Sequence, residues 1–256
     1  DRPKPGAAFT PPEGAEVLAD GPESASHVSV EAPSVLIVDD DPYTVEILGD
    51  FLEHRGHYKV QKAYSGLHAM IHLAEHRPDY LVVTNIEHDH PDCYPTPASY
   101  FQAFLKLARL VQPGGKLVAC ADHPRAAELM GLVNTALTVI PYGTAPNLPY
   151  RLSSIHHDHG CGVVFDLTVP GSTESREIRL GIPGNHNAFN AAAALAVINE
   201  AGLPLENAIA ALRQFSGTGR RFDIQGEVNG ITVIDDYAHH PTEIRSTLSA
   251  ARCRYP

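Results

Sequence analysis

The stretch PGNHNAFNAAAALAVINEAG, residues 183–202, sets the fold more specifically than any other part of the chain. It predicts a helix whose first turn carries His186, Asn187 and Asn190, followed by alanines that must pack closely against a neighbouring element. Asn187 and Asn190 are three positions apart, so they share one helix face near its electropositive N-terminus. We expect these amide side chains to bind a nucleotide. The alternative is that Asn185 or Asn187 only caps the helix.

Strands and helices alternate on both sides of this stretch. Upstream, the sequence predicts a helix, a strand, a second helix and three short strands that we expect to be antiparallel, at 97–111, 116–122, 124–132, 150–157, 162–169 and 176–182. Downstream, residues 205–215 predict a helix that leads into GTGRRFDIQGEVNGITVIDDYAHHPTEI at 217–244. That segment combines an arginine pair, two short strands and a polar cluster at the mouth of a helix. This alternation predicts an α/β fold with a parallel sheet.

Composition narrows the classes of function. The 256-residue chain is 43% hydrophobic, and its 19 Lys and Arg against 30 Asp and Glu give no cationic surface for nucleic acid or anionic lipid. We therefore expect no nucleic-acid partner, and no apolar run is long enough to predict a membrane span. The four cysteines are scattered without a CxxC pair, which favours reduced thiols and a cytoplasmic protein.

The chain has the features of a segment from a longer polypeptide. Residues 1–33 are rich in Pro, Gly, Ala, Ser and Glu and have no sustained periodicity, so we expect a flexible leader. Asp1 rather than a methionine opens the chain, and Pro256 directly follows a helical pattern. We therefore expect further sequence beyond the residues given.

Residues 35–83 have βαβαβ order and resemble the first half of a response-regulator receiver domain. In that family an acidic pair after the first strand holds Mg²⁺, and an aspartate ending the third strand accepts phosphate. Asp39 and Asp40 match the pair, although a solvated cluster at a strand end and helix N-cap is the better explanation for them. Thr84 and Asn85 stand where the phosphoacceptor would be. Phosphorelay activity is therefore not expected.

The segment TNIEHDHPD, at 84–92, directly follows the third strand. It places Asn85, Glu87, Asp89 and His90 just beyond the carboxyl end of a parallel strand, where open α/β sheets bind ligands. We expect a metal ion or a phosphate group to bind near these side chains.

Four motifs in register carry a resemblance to the bacterial Mur ligases. They are VVTNIEHDHPD, GNHNAFNAAAALAV, SGTGRRFDIQGE and IDDYAHHPTEI. The family builds a nucleotide-sugar-binding domain, a central P-loop ATPase domain and a Rossmann-like C-terminal domain. The resemblance implies a leader, the receiver-like segment, the later part of the central domain and the start of the C-terminal domain, at 1–33, 34–83, 84–216 and 217–256.

The resemblance also implies roles for individual residues around ATP. Asn187 and Asn190 match asparagines that contact ATP, and His186 would lie beside the adenine. Arg221 matches a catalytic arginine at the ATP phosphates, where the guanidinium fork suits the geometry. Asp236 matches an aspartate near the ribose. These residues define the expected nucleotide site.

Metal and substrate roles follow from the same resemblance. His90 matches a histidine that takes part in catalysis at a Mg²⁺ site, although imidazole is an unusual ligand for so hard a cation. Tyr237, His239 and His240 lie where the nucleotide and the muramyl substrate approach each other. The expected cofactors are ATP and Mg²⁺.

The implied reaction is ATP-dependent amide-bond formation in peptidoglycan precursor synthesis, in the branch of the family that joins L-alanine to UDP-N-acetylmuramate. The substrate carboxylate attacks the γ-phosphate, and the alanine amine then displaces phosphate from the acyl phosphate. The chain departs from the family in having no GKT or GKS, hence no P-loop lysine, and receiver-like sequence replaces an acidic metal-binding motif. We expect an incomplete or chimeric ligase. The alternatives are a receiver-domain signalling fusion and a related ligase that recycles muramyl tripeptide.

Overall fold

The computed structural model describes residues 34–38, 59–63, 72, 73, 75 and 77–255. The strands are β1 Ser34–Val38, β2 Lys59–Ala63, β3 Tyr80–Val83, β4 Lys116–Cys120, β5 Thr138–Gly143, β6 Tyr150–His157, β7 Val163–Thr168, β8 Arg176–Leu180, β9 Asp223–Val228 and β10 Ile231–Asp235. The helices are α1 Pro97–Ala108, α2 Pro124–Val133, α3 Asn185–Glu200, α4 Leu205–Gln214 and α5 Pro241–Arg254. The predicted leader, the acidic pair Asp39 and Asp40, and the first helix of the receiver-like segment lie outside the described residues.

Six strands form the main sheet, in the order β3-β4-β5-β6-β7-β8. The strands β3 to β6 run parallel to one another, whereas β7 is antiparallel to both β6 and β8. The predicted α/β fold, the mostly parallel sheet and the three antiparallel strands are confirmed. Because neighbouring parallel strands point the same way, the loops at their carboxyl ends meet at one edge of the sheet.

The receiver-like segment does not form one βαβαβ sheet. Strands β1 and β2 pair with each other in a separate parallel sheet, whereas β3 pairs with β4, with Tyr80 beside Lys116. Within the described residues no ladder joins β3 to β1 or β2. The pairing of the described strands therefore gives no support to a single receiver-like unit over 34–83. A short apolar run such as YLVV identifies a strand without specifying its partner.

Helices cover both faces of the main sheet. Alternate residues of β4 point to opposite faces: Leu117 and Ala119 pack with α1 and α2, whereas Val118 and Cys120 pack with α3 and α4. This period of two gives two separate cores and a three-layer arrangement. In the described part of the chain, no helix combines the length and the apolar character needed to cross a membrane.

Helix α3 corresponds to the alanine-rich stretch and packs across β4, β5, β6 and β7. Its buried residues are Ala188, Ala191, Ala192, Ala193, Leu195 and Ala196. Because alanine side chains end at Cβ, this face can lie close against the sheet without voids. The helix begins after Gly184, whose φ of +98° lies in the left-handed region that favours glycine. Strand β8, which leads into this helix, runs in the same direction as β6, because both are antiparallel to β7. The N-terminus of the helix therefore lies at the edge of the sheet where the parallel strands end.

The C-terminal segment starts with a β-hairpin. Strands β9 and β10 are antiparallel, and the turn between them is Asn229 and Gly230, with φ of +54° and +76°. Positive φ at both central residues is the requirement of the type I′ turn, for which Asn-Gly is a preferred sequence. The chain then enters α5, where His240 is the N-cap and Pro241 the first helical residue. The structure matches the two strands and the helix expected over 217–244.

A polar network ties α3 to the other end of the sheet. The Tyr150 hydroxyl donates to Glu200 Oε1 at 2.8 Å and accepts from Asn199 Nδ2 at 2.7 Å, and Lys116 Nζ donates to Glu200 Oε2 at 2.8 Å. Partial burial raises the pKa of Glu200, but the bonds from Lys116 and Tyr150 outweigh it and hold the pKa below its ordinary value. The network therefore contributes stability at neutral pH that is lost as the pH falls through the pKa of folded Glu200.

Two buried tyrosines offer a matched test of this network. Tyr150 and Tyr142 are register partners on β6 and β5, and both are 0% exposed. Tyr150→Phe removes the hydrogen bonds that its hydroxyl makes with Glu200 and Asn199. We expect this loss to lower the free energy of unfolding by about 1–3 kcal/mol. The Tyr142 hydroxyl has no hydrogen-bond partner among the described residues, so Tyr142→Phe should be neutral or stabilising. Urea unfolding of both variants measures the difference, and equal losses would contradict the assignment.

Candidate functional site

An open cavity of 1120 Å³ lies at the carboxyl edge of the sheet, between the start of α3 and the C-terminal segment. Its volume is slightly above the range of about 300–1,000 Å³ that is usual for small-molecule and cofactor sites. Two sets of sequence-predicted residues line it: those at the end of β3, which are Asn85, Glu87 and Asp89, and those given roles by the Mur ligase resemblance, which are His186, Asn187, Asn190, Arg221, Asp236 and His240. The remaining predicted residues, His90, Tyr237 and His239, are not part of the lining but contact the segments that form it. Residues more than 100 positions apart in the chain are thus brought to one cavity.

The start of α3 presents its asparagines to the cavity. Asn187 Nδ2 donates to the carbonyl of Pro183 at 2.7 Å, and the N-cap of the helix is Gly184, without any side-chain cap. The alternative that Asn185 or Asn187 serves only as an N-cap is therefore wrong. Asn190 is exposed to the cavity one turn further on.

His186 folds back over Gly184. A Cβ atom at Gly184 would lie 2.5 Å from Cε1 of the His186 ring, so a glycine is needed both for this contact and for the positive φ. The ring keeps solvent access on the cavity side, yet the surrounding protein desolvates it and lowers its pKa. Asp236 and Glu243 act to raise the pKa of His186, and Arg221 acts to lower it. The charges of the C-terminal segment therefore reach the N-terminus of α3.

Asp236 holds the loop before β9 against the turn after β10. Its Oδ2 accepts from the Phe222 amide and its Oδ1 from the Ala238 amide, both at 2.8 Å. Phe222 and Arg220 have φ of +49° and +59°, which is strained for side chains of this size. The Asp236 bonds hold this bend in place. The contact of Asp236 with a ribose stays a prediction.

The arginine pair flanks Tyr237. The guanidinium carbon of Arg220 lies 4.5 Å from the centre of the Tyr237 ring and that of Arg221 lies 5.8 Å from it, so both form cation–π contacts. Arg221 Nη1 is also 3.9 Å from Glu243 Oε2 in the first turn of α5. These contacts direct one arginine of the pair, Arg221, into the cavity wall.

His239 connects α5 with the loop after β3. Its Nε2 is 3.5 Å from Asp89 Oδ2, and its ring centre is 6.3 Å from that of His90. The hydrogen bond from its Nδ1 to the Tyr237 carbonyl raises the pKa of His239, aided by Glu243 and Asp89 and opposed by slight burial. Across residues 34–38, 59–63 and 77–255, no three His, Cys, Asp or Glu side chains are arranged to hold a metal ion. The metal role of His90 stays a prediction.

Sequence reasoning missed two residues at this edge of the sheet. Thr242 donates a 2.6 Å hydrogen bond to Glu87, and His123 Nε2 lies 3.7 Å from the same carboxylate. His123 directly follows the β4 segment KLVACAD, and in a parallel sheet that position adjoins the end of β3. This strand-end position identifies His123 only once β3 and β4 are known to pair, and the Thr242 contact likewise needs the folded arrangement.

Comparison with known proteins identifies the family. Residues 63–198, more than half of the chain, match the profile of the Mur ligase middle domain, and residues 220–256 match the Mur ligase glutamate ligase domain. The chain belongs to the Mur ligase family. The middle-domain match includes residues 63–83, which were also part of the segment that resembles a receiver domain. The resemblance to a receiver domain therefore gains no support. The expected boundary at residue 84 stays a prediction.

Several relatives share a single name. The chain is 45% identical over 179 residues to a UDP-N-acetylmuramate–L-alanine ligase from Arthrobacter sp. strain FB24, covering 69% of this chain and 37% of that protein. It is 42% identical over 182 residues to the ligase of that name from Mycolicibacterium smegmatis, covering 70% and 38%. The chain therefore spans less than two fifths of the length of these relatives.

Solved structures share the fold at low sequence identity. UDP-N-acetylmuramate-alanine ligase MurC from Thermotoga maritima matches with a TM-score of 0.61 and 24% identity, over 88% of this chain and 55% of that one. MurF from Acinetobacter baumannii matches with a TM-score of 0.67 and 19% identity, over 86% and 54%. These matches confirm the α/β architecture of the family.

The electrostatics of His186 give a test of how the two segments meet. We expect the pKa of His186 to lie below the ordinary value of a histidine, to rise in Arg221→Ala and to fall further in Glu243→Gln. Nuclear magnetic resonance of the histidine rings measures these values, with the His186 signal assigned by its loss in His186→Gln. Arg179→Ala, at an exposed arginine paired with Glu177, is the control and should leave the pKa unchanged. Identical His186 titrations in all variants would show that the segments do not meet as described.

Proposed function

We propose that this chain is part of an ATP-dependent ligase that joins L-alanine to UDP-N-acetylmuramate in peptidoglycan precursor synthesis. The supporting observation is the 45% identity over 179 residues to a protein of that name. The recycling ligase has weaker support: a murein peptide ligase from Psychrobacter arcticus matches at 24% identity with a TM-score of 0.54, which concerns the fold alone. The four cysteines are free thiols, which fits a cytoplasmic location.

The nucleoside would bind at the N-terminus of α3. Asn187 and Asn190 offer amide groups that can pair with a purine edge, and His186 offers a ring that can stack beside it. On this proposal the α3 N-terminus recognises the base, and Arg221 binds the phosphate chain from the opposite wall.

The charge of the cavity limits what the chain can hold unaided. The carboxylates among the described lining residues outnumber the guanidinium groups: they are Glu87, Asp89, Asp223, Asp236 and Glu243 against Arg221 and Arg254. A triphosphate in such a cavity needs further positive charge close by. The sequence has no GKT or GKS, so it lacks the lysine that P-loop enzymes use for this purpose.

Mg²⁺ fits this site only in part. Magnesium in phosphate sites is held by one or two carboxylates, by phosphate oxygens and by water. Asp89 and His90 are adjacent and near the cavity, but the described residues include no three-residue ligand set.

The proposed chemistry assigns binding and orientation to the residues of this chain. The muramyl carboxylate would attack the γ-phosphate of ATP and release ADP, and the alanine amine would then displace inorganic phosphate from the resulting acyl phosphate. Arg221, braced by Tyr237 and Glu243, would neutralise charge on the phosphates as they are transferred. Tyr237, His239 and His240 stand on the side of the cavity where the second substrate would approach.

Comparing the binding of adenosine with that of ATP tests the base-binding part and the phosphate-binding part of the proposed site separately. We expect Arg221→Ala to weaken ATP binding by about tenfold or more but to leave adenosine binding unchanged, because a charge-assisted bond to phosphate is lost. We expect Asn190→Ala to weaken both ligands by a similar factor. Arg179→Ala serves as the control for arginine loss. Equilibrium binding by calorimetry measures these constants, and an equal loss of both ligands in Arg221→Ala would contradict the placement of the phosphates.

The 256-residue chain should not complete the reaction by itself. Without the P-loop lysine the transferred phosphate lacks its main source of charge neutralisation. We expect no alanine-dependent release of phosphate when the chain is mixed with ATP, Mg²⁺ and UDP-N-acetylmuramate. Release above that of a boiled sample would overturn this expectation.

A further inference from the structure

Glu87 contacts residues at the starts of two helices, and the proposed binding of ATP does not account for these contacts. Its Oε2 accepts a hydrogen bond from the Thr242 hydroxyl at 2.6 Å and lies 3.4 Å from His240 Nδ1, and its Oε1 lies 3.7 Å from His123 Nε2. The side chain is 31% exposed, so solvent screens these contacts only in part. One carboxylate thus contacts three residues on two other elements.

Two of these contacts, those to Thr242 and His240, join the two family domains. Glu87 and His123 belong to the middle-domain match at 63–198, whereas Thr242 belongs to the C-terminal match at 220–256. His123 precedes α2 and His240 precedes α5, so the carboxylate lies near the N-termini of both helices. The positive ends of both helix dipoles favour a negative charge there.

The Thr242 bond is the contact that can hold the two parts together in every protonation state of His240. His240 Nδ1 also accepts a bond from the Thr242 amide at 3.3 Å, and a nitrogen that accepts that bond has no proton to give Glu87. The Thr242 hydroxyl donates to Glu87 whichever form His240 takes. The Glu87 and Thr242 pair therefore joins the domains independently of His240, beside the second contact between them, in which His239 Nε2 lies 3.5 Å from Asp89 Oδ2.

Thr242 lies next to the residue that braces Arg221. Glu243 is the following residue in the first turn of α5, and its Oε2 is 3.9 Å from Arg221 Nη1. Fixing Thr242 fixes the first turn of α5, and with it the position of Glu243. A continuous path of contacts thus runs from Glu87 through α5 to the arginine on the opposite wall of the cavity.

We propose that Glu87 is a positioning residue that fixes the start of the C-terminal domain on the middle domain through Thr242, and so sets where Arg221 stands. This inference rests on the proposed nucleotide site for its effect on ligand binding, but its structural part does not. Glu87 itself touches neither the base nor the phosphates in this proposal. Its effect on ATP is transmitted by Arg221.

Two variants that break the same bond from opposite sides test the proposal. Glu87→Gln and Thr242→Val should each weaken ATP binding by about tenfold and change adenosine binding by less than about twofold. Thr242→Ser keeps the hydroxyl and should retain most of the affinity for ATP. Glu128→Gln, which removes a surface carboxylate paired with Arg125, is the control and should change neither ligand.

A double-mutant cycle distinguishes positioning from direct contact. If Glu87 acts through Arg221, Glu87→Gln should cause no further loss of ATP affinity in an Arg221→Ala background. A loss in Glu87→Gln that is absent from Thr242→Val would overturn the proposal, because Glu87 would then act on the ligand or on a bound metal directly. Full additivity of Glu87→Gln with Arg221→Ala would overturn it as well.

Hydrogen exchange without nucleotide tests the structural part independently. In both bond-breaking variants, amide exchange should become faster in residues 217–244 and stay unchanged in the strands β6 to β8. If ATP binds to no form of the chain, these residues alone do not form the proposed nucleotide site, whereas this exchange result still decides the positioning role. Unchanged exchange in 217–244 would show that Glu87 does not fix the C-terminal segment.

Discussion

The close packing of α3 on the main sheet is the constraint on which the site depends. Small residues on the buried face let the helix cross four strands at short range, and the neighbouring core residues fill the space between them. The helix therefore cannot shift without opening voids. Its N-terminus is fixed at the carboxyl edge of the parallel strands, where Gly184 allows the backbone to turn and His186 to fold back. The asparagines of the first turn face the cavity as a consequence.

The second wall of the cavity is held by a few polar bonds rather than by a core. Asp236 ties together the loop and the turn that carry the arginine pair, and Glu87 ties the start of α5 to the middle domain. The hairpin strands carry exposed apolar residues such as Val228, Ile231 and Val233. Because little apolar surface is buried here, each of these bonds has a large influence on where Arg221 stands. The excess of carboxylates in the cavity makes the arginine more important for any phosphate.

Much of the fold could be predicted from the sequence, because its elements have local signals. The alanine-rich helix, the Asn229–Gly230 turn and the alternation along β4 are each set by neighbouring residues. Six of the site residues identified from the four Mur ligase motifs line one cavity in the structure. The pairing of β3 with β4 could not be predicted, since the sequence of a short apolar strand does not determine which strand it pairs with. Nor could the bond between Glu87 and Thr242, which joins side chains 155 positions apart, or the buried Tyr142 hydroxyl without a hydrogen bond.

The central claim is that the N-terminus of α3 and the arginine loop together form one adenine nucleotide site. Photolabelling with 8-azidoadenosine triphosphate, followed by mass spectrometry of the labelled peptides, tests it most directly, because the azide reports on atoms next to the base. The account predicts label on peptides that contain residues 183–195, with displacement by unlabelled ATP and by adenosine. Label confined to peptides distant from this helix, or label that neither competitor displaces, would contradict it.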